Sequence, residues 1–149
     1  MSIESSLLDW WNASHPVTEI VTGGLWRDEV PEKNEHDEPI NMPFARFAIL
    51  AETPTEILTK TPGESREYLE EQLVQVDIFA TSPTTAKMAR EAAKNLLDKW
   101  VPVVQPPDVF VSIDRTNAAL LKDPEEQDGE NVWHAMLEYV VTLQRETNG

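Results

Sequence analysis

The chain has 149 residues, of which 40% are hydrophobic, and we expect a single globular domain over residues 1–149. It carries 27 acidic and 12 basic residues, a net charge of −15, which argues against nucleic-acid binding because phosphate neutralisation needs clustered cations. The absence of cysteine excludes disulfides and thiolate metal sites, no apolar run approaches a membrane span of roughly 20 residues, and we expect no secretory signal. An acidic surface favours solubility, repulsion of DNA or adaptation to high salt.

The N-terminal third predicts two short helices, a short strand and a loop. Ile3, Leu7, Leu8 and Trp11 fall on one side of a helix from Ile3 to about Trp11. A second helix, HPVTEIVT, starts at a proline and stops at a Gly-Gly pair that tolerates positive φ. LWRDEV then reads as a strand. Residues 31–42 are rich in proline and acidic residues and predict an acidic loop that cannot fold alone.

Two long strands are expected in the middle of the chain. MPFARFAILAE alternates with apolar side chains on both faces, which favours a central strand. TPTEILTKTPGES reads as a long connection with a Pro-Gly turn signal, and REYLEEQLVQVDIFATS as the next strand. In that strand Val74, Val76 and Ile78 share one face, whereas Gln75 and Asp77 make the other face wetter.

The strongest local pattern is a helix after this strand. Ser82 is a good N-cap and Pro83 suits the first helical position, where a missing N–H costs nothing. An alanine-rich stripe continues to Trp100, and the prolines of PVVQPPD are expected to end the helix.

The last part of the chain predicts a hairpin of two strands, DVFVSIDR and ENVWHAMLEYVVTLQRE, joined by a long acidic tip with a tight turn at Asp128-Gly129. The order of elements predicts an α+β domain: a mainly antiparallel sheet of about five strands, with one long helix and the N-terminal helices packed on it.

Candidate chemistry is sparse. The histidines His15, His36 and His134 have no nucleophile near them in sequence, and His134 on a strand fits a partly exposed sheet residue better than a catalytic one. The acidic loop offers carboxylates but not the rigid cage of a metal site, and we predict no metal, no cofactor and no enzymatic activity. Among the tryptophans, Trp11, Trp100 and Trp133 are expected in the core, whereas Trp10 and Trp26 could be interface anchors.

Read in order, several segments resemble the tail-terminator or tail-completion proteins of long-tailed bacteriophages. The carrying segments are SLLDWWNASHPVTEIVTGGLWRDEVPE, MPFARFAIL, EEQLVQVDIFATSPTTAKMAREAAKNLL, DVFVSIDR and NVWHAMLEYVVTLQRE. Residues 74–97, a V-x-V-D-x-[FY]-A strand that runs into an alanine-rich helix, are the most specific part. The length and acidity of residues 31–42 depart from the family pattern.

The resemblance implies a structural virion protein that forms a ring, usually a hexamer, on the head-proximal end of the tail tube. There it would end tube growth and join the tail to the neck and head, with the tail-tube protein and a neck or connector protein as partners. DNA would pass through the lumen without specific binding, and no membrane is involved. The protein would reside in the virion tail or neck, and in the host cytoplasm during assembly. Candidate interface residues lie in the short strand, the acidic loop and the strand arms of residues 51–73: Trp26, Arg27, Glu35, Asp37, Glu38, Glu56, Leu58, Glu64, Arg66 and Tyr68.

Three alternatives remain at this level. One is another neck component, such as a head-tail connector or stopper, and a second is a small acidic adaptor or chaperone of the cytoplasm. The third is a hydrolase that uses His134 with nearby carboxylates.

Overall fold

The computed structural model describes residues 2–57, 65–127 and 130–148, and it confirms the predicted α+β class. The elements in chain order are α1 (Ile3–Asn12), α2 (His15–Thr18), β1 (Leu25–Arg27), β2 (Phe44–Ile57), β3 (Ser65–Ala80), α3 (Pro83–Leu97), β4 (Val109–Gln127) and β5 (Glu130–Asn148). Within the described residues, none of the helices combines the length and apolarity needed to cross a membrane.

The five strands form one sheet in the order β1-β2-β3-β5-β4. Only the short β1 runs parallel to its neighbour, and every other pairing is antiparallel. Strand β5 pairs with β3 from Ser65 to Ala80 and continues beyond it to pair Glu130 with Gln127 of β4. The β2–β3 hairpin and the β4–β5 hairpin therefore point to opposite ends of the sheet.

One face of the sheet carries the core. The face formed by Val74, Val76 and Ile78 of β3 is buried, as the alternation predicted, and α1, α2 and α3 pack on it. Ala89 and Ala93 of α3 are fully buried, because side chains this small let the helix lie close to the strands. Burial of each large apolar side chain contributes about 1.5–3 kcal/mol before the entropy cost of folding. The helices are thereby fixed on one face, and the other face of the sheet is uncovered within the described chain.

Helix α3 begins as predicted and ends earlier than predicted. The Ser82 hydroxyl accepts a hydrogen bond from the Thr85 backbone N–H at 3.2 Å, and Pro83 occupies the first turn. The helix ends at Leu97, ahead of the prolines, because the chain turns there and buries Trp100 in the core. Helix α2 is also shorter than predicted, since the Ile20 N–H bonds to the carbonyl of Val17 in a tighter turn that closes the helix.

Strand β2 corrects two expectations. It continues through Thr53 and Pro54 to Ile57, where a connection was predicted. A proline is tolerated there because this part of β2 has a strand neighbour on one side only. The second correction concerns its faces: Leu50 is 55% exposed and Arg46 is exposed, so β2 is buried on the helix side alone.

Strand β4 corrects the predicted alternation and the predicted acidic tip. The pairing with β5 shifts between Phe110 and Ser112, so Val111 is an extra residue in a β-bulge. Phe110 and Ile113 consequently pack on the core, whereas Val111 is 49% exposed. The strand extends to Gln127, which makes most of the expected tip part of the ladder, and the predicted turn at Asp128-Gly129 lies outside the described residues.

The tryptophan predictions are confirmed in two of three cases. Trp11 and Trp100 are in the core, as expected. Trp133 is half-buried and is not part of the core cluster. It lies at the margin of the sheet, where its partner in β3 is Ala80, the last residue of that strand.

Candidate assembly surfaces

Apart from the outer side of the three-residue β1, two longer strand edges of the sheet lack a strand partner among the described residues. Strand β4 pairs with β5 on one side and with no described strand on the other. Strand β2 pairs with β1 only from Ala45 to Phe47, so residues 48–57 have a free edge on that side. Residues 50–54 and 114–118 are exposed along these edges. Unpaired backbone N–H and C=O groups along a strand are a template for another strand.

The two free edges run in opposite directions. Three antiparallel pairings separate β2 from β4, namely β2 with β3, β3 with β5, and β5 with β4. An odd number of reversals makes β2 and β4 antiparallel. If two copies of the chain lie side by side in the same orientation, β4 of one copy therefore meets β2 of the next in the antiparallel sense. Such a contact joins two different surfaces and can close into a ring.

The uncovered face of the sheet carries a polar cluster centred on Asp77. The His134 Nε2 atom lies 2.5 Å from Asp77 Oδ1, Gln75 Nε2 donates to the same carboxylate at 3.0 Å, and Arg46 Nε lies 3.5 Å from it. Burial raises the pKa of Asp77, but the hydrogen bonds from His134 and Gln75 and the charges of His134 and Arg46 outweigh it, so the pKa lies below its ordinary value. An ionised carboxylate only accepts, so His134 Nε2 carries the proton between them.

Aromatic rings adjoin this polar cluster. The Phe79 ring stacks on His134 with centroids 4.7 Å apart and an interplanar angle of 12°. Phe44 lies 5.4 Å from Phe79, and the Arg46 guanidinium sits 5.3 Å from the Phe79 centroid. The arrangement crosslinks β2, β3 and β5 on the face that no helix covers. His134 is half-buried, as a sheet residue was expected to be, and it lines neither of the clefts described below.

Trp26 and Arg27, which were predicted at an interface, both have partners within the chain. The Trp26 indole N–H donates to the carbonyl of Gly23 at 2.8 Å, and its ring is half-buried. Arg27 is exposed and pairs with Glu4, and this hydrogen bond raises the pKa of Arg27. Strand β1 ends at Arg27 because Asp28 adopts a left-handed conformation, with φ of 61°.

The acidic loop has internal order. The Asn34 side chain accepts hydrogen bonds from the N–H groups of His36 and Glu38 at 2.9 and 3.0 Å. Lys33 pairs with Asp37 at 3.3 Å, and a bridge joins Lys33 to Pro39. Glu35, Asp37 and Glu38, all predicted at an interface, are exposed. A shallow cleft of about 290 Å³ separates this loop from Trp26, with Asn34 and Glu38 on one side.

The predicted strand arms are part of the continuous sheet. Arg66 is paired with Thr147 across β3 and β5, and Glu56 with Leu69 across β2 and β3. Tyr68 is half-buried at the position opposite Arg145. Two further candidates, Leu58 and Glu64, lie outside the described residues. Because residues 68–73 of β3 have a partner on both sides, this part of the arm has no free edge, and the available edge belongs to β2.

Sequence reasoning missed the free edge of β4 and the pairing of Asp77 with His134. The bulge at Val111 leaves no mark in a simple alternation, and Asp77 and His134 are 57 positions apart. The sequence did contain a signal for this pair: Asp77 and His134 each lie on the more polar face of a strand whose other face is apolar.

No protein-family model matches the chain, and no curated protein matches its sequence. Its fold is similar to that of a solved chain described as "Virion of native gene transfer agent (GTA) particle". The TM-score is 0.62 at 14% identity, and the match covers 97% of this chain and 92% of that chain. At this level of identity the likeness shows a shared α+β fold over almost the whole of both chains.

Proposed function

We propose that the chain is a structural virion protein of a long-tailed phage or phage-like particle. In this proposal it forms a ring on the head-proximal end of the tail tube, where it ends tube growth and joins the tail to the neck. The segments that resemble tail-terminator proteins motivate the role. The fold shared with a chain of a gene transfer agent virion supports the broader assignment to a virion. The protein would reside in the virion and, before assembly, in the host cytoplasm.

The observation that carries the proposal is the pair of free edges with opposite directions. Each copy offers β4 on one side and residues 48–57 of β2 on the other. The β4 edge of one copy can therefore pair with the β2 edge of the next, and the same contact can repeat around a ring. Main-chain hydrogen bonds across such a contact contribute roughly 0.5–1.5 kcal/mol each, without a requirement for particular side chains. A subunit with both edges needs no second kind of protein to form a ring.

The net charge suits a ring through which DNA passes. For a hexamer the sum is 6 × (−15), or about −90. A negative lumen repels the phosphate backbone and keeps DNA from binding to the wall. The proposal therefore predicts that acidic side chains line the bore, and acidity restricted to the outer rim would count against this use of the charge. The function is assembly rather than catalysis.

The experiment is a tube-growth assay with the tail-tube protein of the same particle. The tube protein is polymerised with and without this chain, and tube lengths and ends are measured by negative-stain electron microscopy. We expect shorter tubes with a ring-shaped density on one end only. Rings that bind the neck or connector protein but leave tube growth unchanged would favour a connector or stopper. A chain that stays monomeric and binds neither tube nor neck would favour the adaptor and overturn the proposal.

A further inference from the structure

A polar cleft of about 170 Å³ lies on the helix side of the sheet and reaches Glu52 on the free edge of β2. The start of α1, strands β2, β3 and β5, and the segment before β4 all contribute to it. Its polar lining consists of Ser2, Glu4, Glu52, Gln72, Gln105, Asp108 and Arg145. No role described above uses this cleft.

Gln72 is the residue that indicates a ligand. It is 4% exposed, and its Nε2 atom donates to Glu70 Oε2 at 3.0 Å. Its Oε1 atom is buried and has no hydrogen-bond partner within the described structure. An unmet buried acceptor costs about 1–3 kcal/mol, so a hydrogen-bond donor that reaches Gln72 Oε1 would recover that free energy.

The charges around the cleft decide what kind of donor fits. Arg145 is already engaged, with Nη1 2.7 Å from Glu70 and Nη2 3.3 Å from Asp108. Glu4 is paired with Arg27, whereas Glu52 has no ion-pair partner among the described residues.

The lining groups carry three negative charges, on Glu4, Glu52 and Asp108, and one positive charge on Arg145, a sum of −2. The N-terminus of α1 adds only about half a positive charge, so the net field favours a cation.

We propose that this cleft accepts one cationic side chain, the guanidinium of an arginine or the ammonium of a lysine, from a neighbouring protein subunit. The cation pairs with the Glu52 carboxylate, and a turn of the Gln72 side chain brings Oε1, which is enclosed in the unliganded chain, to accept a hydrogen bond from it. A guanidinium has five donors and an ammonium three, and neither can accept, so both match a cleft whose free groups are acceptors. The cleft can be tested in the isolated chain with small cations. A negative result there would leave the proposed role at the tail end intact.

The test is an NMR titration of the full chain with small probes. Butylguanidinium and butylammonium represent the two side chains, and butylurea is the uncharged counterpart of the first. We expect saturable shifts of the Glu52, Gln72 and Arg145 amides with both cations and none with butylurea. Three results would each overturn the proposal: equal binding of butylurea, shifts confined to other residues, or no shift at all. The last result would mean that the cleft holds water only. Spermidine that binds over tenfold more tightly than both probes would assign the cleft to a free polyamine and would also overturn it.

Variants locate the site. Gln72→Met keeps the side-chain length and removes the acceptor, and Glu52→Gln removes the unpaired charge at an exposed position. We expect each to weaken butylguanidinium binding, Gln72→Met by about tenfold, while Glu71→Gln, on an exposed residue of the opposite face of β3, leaves it unchanged. If Gln72→Met fails to fold, Glu52→Gln alone decides, and unchanged affinity in it would contradict the assignment.

Discussion

His134 and Asp77 are joined across β5 and β3 by a contact of 2.5 Å on the face of the sheet that no helix covers. Asp77 is 5% exposed and holds three partners from three strands, Arg46 of β2, Gln75 of β3 and His134 of β5. Hydrogen bonds and nearby positive charge from these partners stabilise the ionised form of the Asp77 carboxylate. The contact therefore links the stability of the central strands to pH.

The first prediction concerns acid. The folded-state pKa of Asp77 lies below its unfolded value of about 3.9, so the stabilisation is present above about pH 4 and is lost as pH falls through the folded-state pKa. We expect Asp77→Asn to be less stable than the wild type at pH 7, and we expect the difference to shrink below pH 4. Urea unfolding from pH 7 to pH 3 measures it. The exposed Asp114→Asn is the control, and a wild-type advantage over Asp77→Asn that stays constant into acid would contradict the prediction.

The second prediction concerns the contact between α1 and the segment after α3. The buried Ser6 hydroxyl accepts from the Val103 N–H at 2.8 Å and from the Trp100 indole N–H at 3.4 Å. Ser6→Ala leaves both donors without this partner and should lower the free energy of unfolding by about 1–3 kcal/mol. Denaturant unfolding gives the value, with Ser5→Ala on the exposed side of α1 expected to change it by under about 0.5 kcal/mol. Equal effects of the two variants would show that the Ser6 hydrogen bonds contribute little.

The third prediction separates the two adjacent glycines. A Cβ atom on Gly23 would lie 2.2 Å from the backbone oxygen of Asn41, whereas on Gly24 the closest atom would be 3.5 Å away in Trp26. Gly24 instead has a φ of 86°, where an L-residue costs about 1–2 kcal/mol. Gly23→Ala should therefore lower the melting temperature more than Gly24→Ala does. The order is checked by calorimetry, and the reverse order would mean that the loop before β2 yields easily to the added methyl group.

The fourth prediction concerns the β4 edge. Val111 is 49% exposed at the bulge, and a lysine there is the kind of residue that blocks strand pairing at an edge. We expect Val111→Lys to raise the Kd for tube ends at least about tenfold without loss of stability. The matched control is Met88→Lys, which places the same charge at an exposed apolar position of α3. If both variants cap tubes like the wild type, the β4 edge takes no part in assembly.

The parts of the fold that sequence predicted are those whose signals are local. Ser82 and Pro83 start α3 by short-range capping, and the alternation around Val76 and Ile78 assigns one buried face to β3. The segment that contains Pro54 was predicted to be a connection but is strand up to Ile57, because a proline is tolerated where a strand lies at an edge, and that depends on strands elsewhere in the chain. Long-range relationships also set the candidate surfaces, since the direction of β4 relative to β2 follows only from the complete strand order.

Hydrogen–deuterium exchange on the free and the tube-bound protein tests the central claim most directly, because it reports which backbone N–H groups gain partners. Head-to-tail strand pairing predicts that amides of β4 and of residues 48–57 in β2 become protected together on assembly, while the exposed side of α3 stays unchanged. Assembly that protects neither edge, or β4 alone, would contradict a ring built by pairing β4 of one copy with β2 of the next.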